Sequence, residues 1–84
     1  SKMDNKFKNL QHLIDSIDLG LDIEFDLYNK PYNISIGDDD TRFITLCPNG
    51  DTKYYKNGKD MVDNYNIDGK LLKDLWKDIQ IVNM

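Results

Sequence analysis

One cysteine, one histidine and two prolines are all that 84 residues contain of those types, and no apolar run approaches the length of a membrane span. A lone Cys47 excludes an internal disulfide, and a reducing compartment is the simplest expectation. Without a signal-peptide core or a spanning segment, a cytoplasmic location and no membrane partner are expected. Ser1-Lys2 ahead of Met3 reads as the remnant of an expression tag. Cations are outnumbered, 11 Lys and Arg against 15 Asp and Glu, for a net charge of −4. Affinity for nucleic acid comes largely from cationic side chains on phosphates, so this balance argues against direct nucleic-acid binding and admits a basic protein partner. The length fits a single domain over 1–84 with one modest core, burying roughly 60–65% of the unfolded surface.

What is present is organised around 21–36, LDIEFDLYNKPYNISI. Ile23, Phe25 and Leu27 alternate with Asp22, Glu24 and Asp26, the period-two pattern of a half-buried strand. A reversal at Asn29-Lys30 pairs Leu27 with Tyr32, Phe25 with Ile34 and Ile23 with Ile36, so that apolar meets apolar. Slippage by one residue would turn all six to water. Pro31 lacks the N–H that a tight closure there would use, which favours a four-residue loop, Tyr28 to Pro31.

Before this hairpin, Phe7, Leu10, Leu13, Ile14 and Ile17 make one stripe of an amphipathic helix over 4–17, with Asp4 or Asn5 as N-cap and Gly20 as a left-handed stop. After it, Gly37 and Asp38–Asp40 form a solvated loop. RFITLC (42–47) and TKYYK (52–56) flank Asn49-Gly50, a strong hairpin signal, with Cys47 opposite Thr52 and Thr45 opposite Tyr54. Ile44, Leu46 and Tyr55 are placed inward; Phe43, Thr45, Cys47 and Tyr54 outward. A short helix over 59–65 uses Met61, Val62 and Tyr65. Asp68 then caps a helix over 69–79 that buries Leu71, Leu72, Leu75, Trp76 and Ile79, and 79–82 forms a short strand on a sheet edge. The expected class is α+β: an N-terminal helix, a four-stranded antiparallel meander of two hairpins, and one or two C-terminal helices packed on one sheet face.

Chemistry-bearing residues are sparse. Catalysis by nucleophile or acid–base exchange needs a positioned base, and His12 lies on a helix while Cys47 lies in a strand with no histidine near it in sequence. Asp22, Glu24 and Asp26 stand in one solvated row, not as two carboxylates in unlike environments across a cleft. Asp38-Asp39-Asp40 resembles the start of a calcium loop, but Arg42, Phe43 and Asn49 occupy the fifth, sixth and twelfth positions, where oxygen ligands and glycine are required. No catalytic residue, metal or cofactor is expected. Alternate strand residues are ~6.7 Å apart, so the acidic row is far sparser than duplex DNA, with its charge every ~1.7 Å.

In length, in the acidic hairpin over 22–36 and in the order helix, meander, helix, the chain resembles small acidic accessory proteins of phages, among them inhibitors of host defence such as anti-CRISPR proteins. That resemblance implies a stoichiometric inhibitor and assigns no residue a role. The residues themselves point to a non-enzymatic binding module for a basic protein partner. Asp22, Glu24, Asp26, Phe43 and Tyr54 would share the outer sheet face, with Asp38, Asp39 and Asp40 at its rim. The other reading is a structural or assembly subunit forming a homo-oligomer through a sheet edge or the C-terminal helices.

Overall fold

The computed structural model describes residues 5–84; Ser1-Lys2 and the Asp4 alternative for the helix cap lie outside them. Helix α1 (Leu10–Asp18) leads into strands β1 (Ile23–Leu27), β2 (Lys30–Ile36), β3 (Arg42–Leu46) and β4 (Thr52–Tyr55), with a 3-10 turn at Asp38–Asp40. Then come helix α2 (Gly58–Asn64), strands β5 (Asn66–Ile67) and β6 (Lys70–Leu71), and helix α3 (Leu72–Leu75) with a 3-10 extension over Trp76–Asp78. Strand β7 (Gln80–Asn83) ends the chain. The class is α+β as expected, but the main sheet has five strands in the order β4-β3-β2-β1-β7, and β5 pairs with β6 in a separate ribbon. β7 is the expected terminal edge strand, and it lies antiparallel beside β1.

Alternation in β1 buries Ile23, Phe25 and Leu27, joined on the same face by Tyr32 and Ile34 of β2 and Ile44 of β3. Leu13 and Ile17 of α1, Met61 and Val62 of α2, and Leu72, Leu75 and Ile79, with Phe7 ahead of α1 and Tyr65 just after α2, complete this core. The α1 stripe thus packs as its spacing implies, although the helix begins later than expected. Asn9 is the cap, its side chain accepting the His12 N–H at 2.8 Å. Gly20 follows the helix with φ +80°, a conformation that glycine adopts without a Cβ penalty.

Both hairpins close two residues away from the sequence-based register. Leu27 lies opposite Lys30, Phe25 opposite Tyr32 and Ile23 opposite Ile34. The turn is Tyr28-Asn29, both at positive φ (52° and 65°), the pattern of a type I′ turn. This setting puts Pro31 in a pair that exchanges no ladder bond with β1, so its missing N–H interrupts no bond to that strand. In the second hairpin Thr45 faces Thr52 and Phe43 faces Tyr54. Cys47 instead donates its N–H to Pro31 of β2 at 2.9 Å, and the Gly50 N–H closes the wider loop on the Leu46 carbonyl at 2.7 Å. A shift of two preserves every face, so the inward and outward sets stand except at Ile36, which loses Ile23 as its partner and, at the end of β2, is 47% exposed.

The helix expected over 69–79 is corrected. Asp68 and Gly69 both take positive φ (52° and 89°) and form the turn of the β5–β6 ribbon, leaving α3 four residues long. Trp76 is half-buried at the edge of the core.

Candidate functional site

The face of the sheet turned away from the helices is an orderly lattice. Reading across the strands, Glu24 lies opposite Asn33, Asn33 opposite Thr45 and Thr45 opposite Thr52. Asp26 lies opposite Pro31, which in turn holds Cys47. Ser35 lies opposite Phe43, and Phe43 opposite Tyr54; continuing the β1–β2 register brings Asp22 to Ser35. The carboxylates therefore line β1 while the aromatic pair occupies the β3–β4 corner. The five side chains singled out, Asp22 just ahead of β1, Glu24 and Asp26 on β1, Phe43 on β3 and Tyr54 on β4, share this face, and none joins the core.

The aromatic pair is in contact, with ring centroids 6.1 Å apart at 57°. Tyr54 is 62% exposed and Phe43 half-buried. Gly37 lies beneath Tyr54: a Cβ there would stand 3.0 Å from the tyrosine ring and 2.7 Å from Thr41 Oγ1. The close seat of the ring thus depends on glycine at that position. Between acids and rings the surface is polar, tied by the Thr45–Thr52 hydroxyl pair at 2.7 Å.

Electrostatics divide the acidic residues. Among the described residues the ion pairs are Asp40–Arg42 and Lys59–Asp63, and neither involves Asp22, Glu24 or Asp26. Asp22 accepts from Asn33 Nδ2 at 2.7 Å, which fixes the asparagine amide across the strand pair. The Asp38–Asp40 turn lies beyond the end of the sheet where β1 begins, with Asp39 and Asp40 at positive φ (57° and 61°). Asp40 is turned to an internal task that the sequence did not reveal. Its carboxylate accepts from Arg42 Nη1 at 3.1 Å, and Nη1 also donates to its carbonyl at 2.8 Å.

Arg42 itself is buried on the helix side of β3. Its Nε and Nη2 donate to the carbonyls of Ile17 and Asp18 at 2.9 and 3.0 Å, satisfying the open end of α1. One guanidinium thereby joins helix, turn and sheet. The sequence signal for it was slight: a single arginine at an inward strand position just after three aspartates.

A groove of about 350 Å³ crosses the outer face, walled by Glu24, Asp26, Pro31, Asn33, Cys47 and Val82. A second recess of about 210 Å³ opens beside the β1–β2 turn, where Leu27, Tyr32, Leu46 and Tyr65 meet Lys30 and Asp68. There Tyr65 packs edge-on against Tyr32 and Tyr55, centroids 6.5 and 6.4 Å apart. Burial pushes its hydroxyl up to about 12, and the neighbouring tyrosines and Asp51 add to the shift. This recess carries both signs of charge and lies away from the proposed face.

His12 and Cys47 are not brought together. His12 sits on α1, its Nδ1 accepting the Lys8 N–H at 3.0 Å, whereas Cys47 borders the outer groove, so the sheet lies between them. Among the described residues no three His, Cys, Asp or Glu side chains gather as metal ligands, and Asp38–Asp40 is a turn and not a cation cage. No described helix is long and apolar enough to cross a membrane. What fold and surface define together is an α+β domain with one sheet face sealed by helices and the other open, acidic along one side and aromatic at one corner. No protein-family model matches the chain, and comparisons with curated proteins and with solved structures return no match.

Proposed function

We propose that the protein is a non-catalytic binding module that occupies a basic surface of a partner protein, in the manner of a stoichiometric inhibitor of a nucleic-acid-handling protein. The observation that carries this reading is the outer face, which no described element covers. Three carboxylates there lack an ion-pair partner among the described residues, and they share the surface with an aromatic pair in which Tyr54 is exposed and Phe43 half-buried. Unpaired surface carboxylates steer encounter with Lys and Arg, while partly exposed rings supply the desolvated anchor of an interface. A face of this kind buries no polar group that folding must satisfy, so its charges are available to a partner.

The test compares the wild-type chain with the variant Asp22→Lys, Glu24→Lys, Asp26→Lys as baits in host lysate at low and high salt, with bound proteins identified by mass spectrometry. A basic protein retained by the wild type at low salt, lost from the variant and released by salt, is the expected result. Identical capture by both baits, with the variant still folded, overturns the reading.

A further inference from the structure

The groove on the outer face has a feature that a merely solvated sheet does not need. In the β1–β7 pairing Glu24 lies opposite Asn83 and Phe25 opposite Ile81, so Val82 is the extra residue of a β-bulge. Bulges re-aim side chains, and here Val82, 61% exposed, becomes the wall of the groove on the β7 side. Pro31 offers a second apolar surface opposite it across β1. Between these stand two carboxylates, Glu24 and Asp26, and the Asn33 side chain. The Asn33 nitrogen is already engaged with Asp22 and the Ile23 carbonyl at 2.7 and 3.1 Å, which leaves its oxygen as an acceptor. The one thiol, Cys47, is directed to the Thr45 carbonyl at 3.9 Å. The polar side chains lining the groove are therefore acceptors whose natural complement is a group that only donates.

We infer that this groove is the seat of an arginine side chain projecting from the partner, its methylene stem between Val82 and Pro31 and its guanidinium across Glu24 and Asp26. The inference rests on the proposed function for the existence of a basic partner, and it adds the residue that the partner must present. Arginine fits better than lysine. Alternate strand positions are ~6.7 Å apart, so a point-like ammonium reaches one carboxylate, whereas a planar fork with five donors spans two. The apolar walls fit a stem that lysine and arginine share, so the choice between them lies with the head group.

The probe is an acetylated, amidated Gly-Arg-Gly peptide titrated into the ¹⁵N-labelled protein, with the citrulline and lysine peptides as comparators. Saturable shifts confined to the amides of Glu24–Asp26, Tyr32, Asn33, Cys47 and Val82 are expected. Citrulline, which lacks the charge, should bind at least about tenfold more weakly, and lysine should fall between. Val82→Lys, which supplies a cation of its own at an exposed position, should abolish the response while the rest of the spectrum is retained. Failure to saturate, equal response to citrulline or lysine, or shifts centred on Asp38–Asp40 overturns the inference. The two readings fail separately. Salt-sensitive capture lost with the triple-lysine bait but no groove response to the peptide sinks only the arginine seat. A specific groove response with unchanged capture sinks only the partner reading.

Discussion

Along β1, neighbouring residues lead opposite lives. Ile23, Phe25 and Leu27 are at most 1% exposed, with the Phe25 ring stacked on Tyr32 at 5.2 Å, while Glu24 and Asp26 between them face an open groove. A strand makes this division cheaply, because successive side chains alternate across the pleat. One face can then be fixed by packing while the other is left to chemistry. The most forceful way to break the comparison is to substitute the two sides in turn. Phe25→Ala should cost about 3–5 kcal/mol in urea unfolding, from lost transfer energy and the cavity left behind. The triple-lysine variant of Asp22, Glu24 and Asp26 should stay within about 1 kcal/mol of wild type, since its sites lie outside the core. A triple variant as unstable as Phe25→Ala would mean that the acidic row holds the fold together.

Alternation is also why so much of the architecture could be read from the residues, and its symmetry is why part could not. Face assignment survives a register shift of two, so the inward and outward sets over 23–34 and 43–55 stood even though both hairpins close elsewhere, and only Ile36, left past the end of β1, came out exposed. Closure depends on which residues accept positive φ and where the backbone donors go. Tyr28 gave no such signal, and Asn49-Gly50 gave one that the wider loop absorbed. Asp68-Gly69 was the reverse case. It is a type I′ pair that reads equally as a helix cap before the apolar run Leu71, Leu72, Leu75, Trp76 and Ile79, and only the closure of β5 on β6 decides between them. The candidate face was legible because it follows from alternation alone. The bulge that brings Val82 to the groove was not, since it arises from the long-range pairing of β7 with β1, which no local pattern encodes.

A milder way to separate the faces uses pH. The outer carboxylates are solvated, whereas Tyr65 lies on the core side with its hydroxyl raised to about 12, mainly by burial. Below about pH 10 the phenol is neutral in both folded and unfolded chains, and its contribution to stability is fully present. Between about 10 and 12 the unfolded chain ionises first, so stability falls as pH rises. Tyr32 and Tyr55, also raised by burial, act in the same direction. Urea midpoints at pH 9 and pH 11 should therefore fall more steeply for the wild type than for Tyr65→Phe. Parallel slopes for the two would show that the Tyr65 hydroxyl ionises in the fold as it does in water.

The smallest stability effect is the most telling about the outer face, because it asks whether Tyr54 is kept for the fold or for something outside it. On the fold's account Tyr54→Ala loses one cross-strand aromatic contact with Phe43, worth about 0.2–1 kcal/mol, and opens space above Gly37. An interface anchor obeys a different scale, because truncating a desolvated ring in a complex typically costs 2 kcal/mol or more, upwards of about thirtyfold in affinity. Tyr54→Ala should thus leave urea unfolding almost unchanged while weakening capture of the basic partner far more than its effect on stability would allow. A loss of stability that accounts for the whole loss of binding would return Tyr54 to the fold. The acidic row would then have to hold a partner by charge alone, and surface charge pairs are individually too weak for that.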